Sequence, residues 1–92
     1  MVQMTARFQA SRDVVASDVP EGMMLVNVQT GGAFKLNRVG AQVWRKLDGV
    51  RSLADVAAEL ERQYPFAAGR LQQDVEALLE ELQKQGLVSS VG

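Results

Sequence analysis

The groups in this chain that could do chemistry are few. Asp74, Glu76, Glu80 and Glu81 gather within one short stretch, and clustered carboxylates are hard ligands for a divalent cation. The stretch has no glycine-containing loop of calcium-binding spacing, so the pattern reads as the solvated face of a helix. Thr30-Gly31-Gly32 resembles a phosphate cradle only in its glycines. No P-loop lysine follows and no helix starts directly after it, so a hairpin turn is the better reading. Trp44 could stack on a base or ligand, yet it shares a helical stripe with Val43 and Leu47, which places it in the core. Cysteine and histidine are both absent. Thiolate nucleophiles, cysteine or histidine metal sites and the commonest general base are therefore missing. The expectation is a chain with no catalytic residues, no metal site and no cofactor.

Composition points the same way. The chain has 92 residues, 47% hydrophobic and 23% charged, with a net charge of −1. This is the size of one domain with a modest core, and its balanced charge gives no electrostatic attraction for nucleic acid or an anionic membrane. No stretch is apolar for long enough to act as a signal peptide or span a bilayer. A cytoplasmic location is expected. Residues 1–10 lack a clear period and are expected to form a flexible N-terminal arm, with residues 11–92 as a single domain.

The elements follow from periodicity and punctuation. A first strand is expected around Val14 to Ser17, and Pro20-Glu21-Gly22 turns the chain. Met23 to Val28 is a nearly continuous apolar run, suited to a central strand. After the turn at Gln29 to Gly32, Ala33 to Leu36 alternates and pairs back antiparallel. Asn37 is placed to cap a helix carrying Val39, Val43, Trp44 and Leu47 on one face. Gly40 lies inside that helix, which points to close approach of another backbone. Asp48-Gly49 is expected to close it, with Gly49 at the left-handed C′ position. Ser52 and Asp55 form a capping pair for a second helix with Leu53, Val56, Ala57 and Leu60 on its apolar stripe. Tyr64-Pro65 stops that helix. A third runs from about Ala68 to Gln85, burying Leu71, Val75, Leu78, Leu79 and Leu82, and Gly86 ends it. Leu87-Val88 then tucks onto the core or adds a short strand. The fold class is α+β, winged helix-turn-helix-like, with a three-stranded antiparallel sheet followed by three helices.

Such a fold suggests DNA, but the last helix carries two cations against four acids, a net −2 that repels phosphate. What remains is the edge of the Ala33–Leu36 strand, whose unpaired backbone groups are guarded only by Lys35. Two readings stand side by side. The edge is hidden by Leu87–Val91 or by the N-terminal arm, or it is a rail on which an extended peptide docks.

The run L-V-N-V-Q-T-G-G-A-F-K-L-N-R-V-G-A-Q-V-W-R-K-L-D-G, Leu25 to Gly49, resembles the signature of PqqD-like proteins. Asp74 to Val88 is similar to that family's closing helix, and the likeness extends from about Asp13 to Val88. The resemblance implies a non-catalytic recognition element for ribosomally made, modified peptides, of the pyrroloquinoline quinone or lasso-peptide type. In such proteins a precursor's leader adds as a strand beside the third strand of the meander, in a groove against the third helix. The implied peptide-binding residues are Ala33, Phe34, Lys35 and Leu36 on the strand, with Arg70, Leu71, Asp74, Leu78 and Glu81 on the helix. The implied partners are the precursor peptide and a radical SAM maturase or a leader peptidase and cyclase, with no nucleic acid and no membrane. A winged-helix DNA-binding regulator and a protein–protein interaction module are the alternatives.

Overall fold

The computed structural model describes residues 2–91. Its first feature is the expected meander: β2 (Val14–Val19), β3 (Gly22–Asn27) and β4 (Ala33–Asn37), with β3 in the middle. Met23, Leu25 and Asn27 alternate inward along β3, while Met24 and Val26 are only half-buried. The period of two thus sets which face meets the helices. Gly22 is required by close approach, since a Cβ there would collide with the carbonyl oxygen of Leu36 on β4. Asn27 is the one buried polar residue among those described. Its Oδ1 accepts from the backbone N–H groups of Gln29 (2.9 Å) and Thr30 (3.2 Å), holding the hairpin turn.

A second sheet departs from the expected order of three strands and then three helices. β1 (Arg7–Ala10), β5 (Asp48–Ser52) and β6 (Val88–Val91) form an antiparallel sheet in the order β5-β1-β6. Residues 7–10, expected in a flexible arm, are its central strand. The cause is Phe8, only 2% exposed, which anchors a segment too short and polar to display a period. Ahead of β1 the backbone is also engaged: the carbonyls of Met4 and Ala6 accept from the N–H groups of Ala54 (2.8 Å) and Leu53 (3.0 Å). β5 occupies the place expected of a helix stop. Gly49 has the expected positive φ, +79°, but the helix before it already ends at its Leu47 cap, so Gly49 is the second residue of a strand beside Gln9.

The helices are α1 (Arg38–Lys46), α2 (Leu53–Gln63) and α3 (Ala68–Lys84), with a single 3₁₀ turn at Pro65–Ala67. Asn37 caps α1, its Oδ1 accepting from Gly40 N–H at 2.8 Å. The crowding at Gly40 comes from the side chains of Asn37 and Leu36, each 3.3 Å from where a Cβ would lie, and not from a neighbouring backbone. Ser52 and Asp55 make a reciprocal capping box on α2. Leu25, Leu53, Val56, Leu60, Val75, Leu79 and Leu82 fill the core between the sheets and helices. Leu78, expected to be buried with them, is only half-buried.

Candidate functional site

β4 is an edge strand, and among the described residues no strand pairs with its outer side. The two segments that might have hidden it, β6 and the residues around β1, pair with one another in the second sheet. The ladder between β3 and β4 runs from Gly22↔Asn37 to Val26↔Ala33, continuing into a bond from Asn27 N–H to the Gly32 carbonyl at 2.9 Å. Hydrogen-bonded and non-bonded pairs alternate in an antiparallel ladder. Counting back from Asn27, the backbone groups of Phe34 and Leu36 therefore face β3, and those of Ala33 and Lys35 face the open side. Side chains alternate as well: Phe34 and Leu36 point to the helices, while Ala33 and Lys35 are exposed.

Beside this edge runs a groove of about 600 Å³. One wall is β4, through Phe34, Lys35, Leu36 and Asn37. The opposite wall is α3, through Arg70, Leu71, Asp74, Val75 and Leu78, and the floor is α1, through Val39, Gly40 and Val43. Tyr64 and Ala67 close the end where α3 begins. The two walls run in opposite directions. Asn27 Nδ2, next to the start of β4, donates to the Gly86 carbonyl just past the end of α3 at 3.5 Å. At the other end α1 follows directly on β4, and its Gln42 donates to the hydroxyl of Tyr64 just ahead of α3, so the end of β4 lies toward the start of α3.

Seven of the nine residues singled out from the sequence line this groove: Phe34, Lys35, Leu36, Arg70, Leu71, Asp74 and Leu78. Ala33 stands at the mouth of the strand with its backbone on the open side. Glu81 is not on the lining, and its Oε1 accepts from Gln85 Nε2 at 3.1 Å. The floor and the closed end were missed, because Val39 and Val43 read as ordinary core positions and Tyr64 read only as part of a helix stop. Tyr64 carried the one available signal: an aromatic with a polar tip directly before proline. Its hydroxyl accepts from Gln42 Nε2 at 2.9 Å, which leaves the hydroxyl proton for another partner.

The groove's chemistry is that of a binding surface. Its floor is apolar, its α3 wall carries the charges of Arg70 and Asp74, and Lys35 borders it on β4 with its side chain on the other face of the sheet. Among the described residues none of these three is in an ion pair; the pairs are Arg45–Asp18, Lys46–Glu59, Arg51–Asp48 and Arg51–Glu59, all outside the groove. Among the described residues no three carboxylates gather to hold a metal ion. The Thr30-Gly31-Gly32 amides serve the hairpin, Gly31 N–H donating to Asn27 O (2.8 Å) and Gly32 N–H to Thr30 Oγ1 (3.1 Å). Asp48 on β5 lies outside the groove lining. Backbone N–H donors of Arg51 and Val50 hold its carboxyl below the usual range.

The sequence profile described as "Coenzyme PQQ synthesis protein D (PqqD)" matches residues 22–88, from β3 to the start of β6. The chain belongs to the PqqD family. Within it, the chain is similar to a "PqqA binding protein" of Stutzerimonas stutzeri (strain A1501), at 41% identity over 49 residues, 53% of this chain and 52% of that protein. It thus spans about half the length of that curated relative. Two solved structures share the PqqD-type fold. "Lasso peptide synthetase B1 complexed with the leader peptide" aligns with a TM-score of 0.79 at 26% identity, covering 91% of this chain and 99% of that one. "TbiB1 in Complex with the TbiA(beta) Leader Peptide" aligns with a TM-score of 0.77 at 22% identity, covering 88% and 94%. No helix of the described residues is long and apolar enough to cross a membrane.

Proposed function

We propose that this PqqD-family chain binds the leader of a ribosomally synthesised precursor peptide and presents it to a separate modifying enzyme. The observation that carries this reading is the open backbone of β4 beside a groove whose far wall is α3. A leader segment adds to β4 as a fourth strand of the meander. Ala33 and Lys35 exchange main-chain hydrogen bonds with it, and its inward side chains enter the groove between Leu36 and the α3 residues Arg70, Leu71, Asp74 and Leu78. The PqqA binding protein and the two leader-peptide complexes, as similar proteins, support a peptide as the ligand.

The chain performs no chemistry of its own in this reading. A disordered leader loses conformational entropy as it orders on the edge, so its affinity is modest for the area it covers. Its value lies in tethering: once the leader is held, the remainder of the precursor is at an effective concentration of order millimolar for a bound enzyme. A radical SAM maturase and a leader peptidase with its cyclase are the two enzyme classes such a module serves, in the cytoplasm where the precursor is made. Nucleic acid is disfavoured by the net −2 of α3.

The test is an NMR titration of the labelled protein with peptides encoded beside its gene. Amide shifts concentrated on Ala33–Asn37 and on the Arg70–Leu78 side of α3 are expected. Saturable binding that leaves those amides unmoved, or no binding by any neighbouring peptide to a folded sample, would overturn the proposal.

A further inference from the structure

The α3 wall of the groove carries an ordered row of chemistry, and any selection it exerts rests on the groove being a peptide site. Arg70, Asp74 and Leu78 recur every four residues, and all three line the groove. Arg70 and Asp74 are exposed, and among the described residues neither is in an ion pair, even with the other one turn away. Four residues of helix advance about 6 Å. Two residues of an extended strand advance about 6.6–6.8 Å, and they are the two that point the same way. A strand lying along α3 therefore brings successive inward side chains against successive members of the row.

Direction fixes the order. β4 and α3 run oppositely across the groove, as the Asn27–Gly86 bond at one end and the Gln42–Tyr64 bond toward the other indicate. Every pairing in this sheet is antiparallel, and a fourth strand added in the same sense runs with α3, its N-terminal end at Arg70. We propose that the groove selects peptide segments of the form acid–x–base–x–apolar. The acid pairs with Arg70, the base with Asp74, and the apolar residue packs on Leu78. The intervening residues point to the opposite face of the sheet, alongside Ala33 and Lys35, and α3 does not read them. Arg70 and Asp74 are specificity-determining residues, and their separation along the helix is what sets the spacing in the peptide.

The test pans a randomised peptide library displayed on messenger RNA against the wild-type protein and, separately, against the double variant Arg70→Asp/Asp74→Arg. The wild type is expected to enrich an acid two residues before a base. The double variant is expected to enrich the two in reverse order. Anisotropy titration of labelled winners should show about a three- to tenfold preference of each protein for its own set, as two partly exposed ion pairs supply, shrinking as salt is raised. Should the double variant not fold, Arg70→Gln and Asp74→Asn serve instead, and each should lose selection at one position. Winners that shift β4 amides yet show the same charge pattern with both proteins, or the inverse order with the wild type, would overturn this inference and leave the groove reading standing. Winners that leave the β4 and α3 amides unmoved would overturn both.

Discussion

The two sheets of this small protein are assembled in opposite ways. β2, β3 and β4 follow one another through short turns, and the sheet they make ends in an open edge beside a groove. β5, β1 and β6 are drawn from the middle and the two ends of the described chain, and their sheet lines no part of that groove. The first presents a surface; the second ties the helices down. Its β5 joins α1 to α2, its β6 follows α3, and the carbonyls ahead of β1 receive the first N–H groups of α2. The open edge of β4 can stay unpaired because stability is supplied elsewhere.

Substitutions can break that division. The largest effect is expected at Phe8. Phe8→Ala removes the anchor of the second sheet and should cost about 3–5 kcal/mol, seen as a large drop in the urea midpoint. A drop under about 1 kcal/mol, well short of that range, would mean that the sheet is not the brace described. Next comes a pair of prolines on adjacent residues of β4. Phe34→Pro removes a donor facing β3 and should destabilise by about 1–3 kcal/mol, the cost of a broken ladder bond with its acceptor left bare. Lys35→Pro removes a donor facing the open side, so stability should hardly move while leader affinity falls by about 0.5–1.5 kcal/mol. Equal stability losses at the two positions would show the backbone alternation to be misassigned.

Smaller effects sharpen the picture at β5. Ser52→Ala should cost about 1 kcal/mol through loss of the α2 cap, read by thermal or urea unfolding, with leader affinity unchanged. Asp48 gives the smallest signal. Its folded pKa lies below the ordinary 3.8, so its stabilising effect is complete above that value and is lost as pH falls through the folded pKa. The stability difference between wild type and Asp48→Asn should accordingly shrink as the pH is lowered past the ordinary 3.8 and through the depressed folded pKa. A difference that is constant with pH would dissociate Asp48 from the acid transition.

Legibility in the sequence divides along the same line. The meander and the three helices were readable because their signals are local: the apolar run of Met23 to Val28, alternation in Ala33 to Leu36, the caps at Asn37 and Ser52, the stripes of α2 and α3. The second sheet was not. Arg7 and Val91 are neighbours only after folding, and D-G-V-R-S at β5 reads as a helix stop because Gly49 does take a positive φ. At the groove, β4 was legible from its pattern and its lack of a further partner. The α3 wall was legible up to Leu78, where a helical row that reads as core turns half outward. Glu81 lies one turn too far and already serves Gln85. Val39 and Val43 were hidden in plain core spacing, since an apolar groove floor and an apolar core place the same residue types at the same intervals, and Tyr64 was absorbed into the helix stop at Pro65.

The pairing of β1 with β6 also sets a timetable. During synthesis at roughly 5–20 residues per second, β1 is made on the order of ten seconds before its β6 partner exists. For the first half of that interval both flanks of the strand that holds Phe8 are unmatched, and once β5 is made one still is. By the time α3 is made every wall of the groove exists in the chain, whereas the sheet that braces it still waits for its last strand.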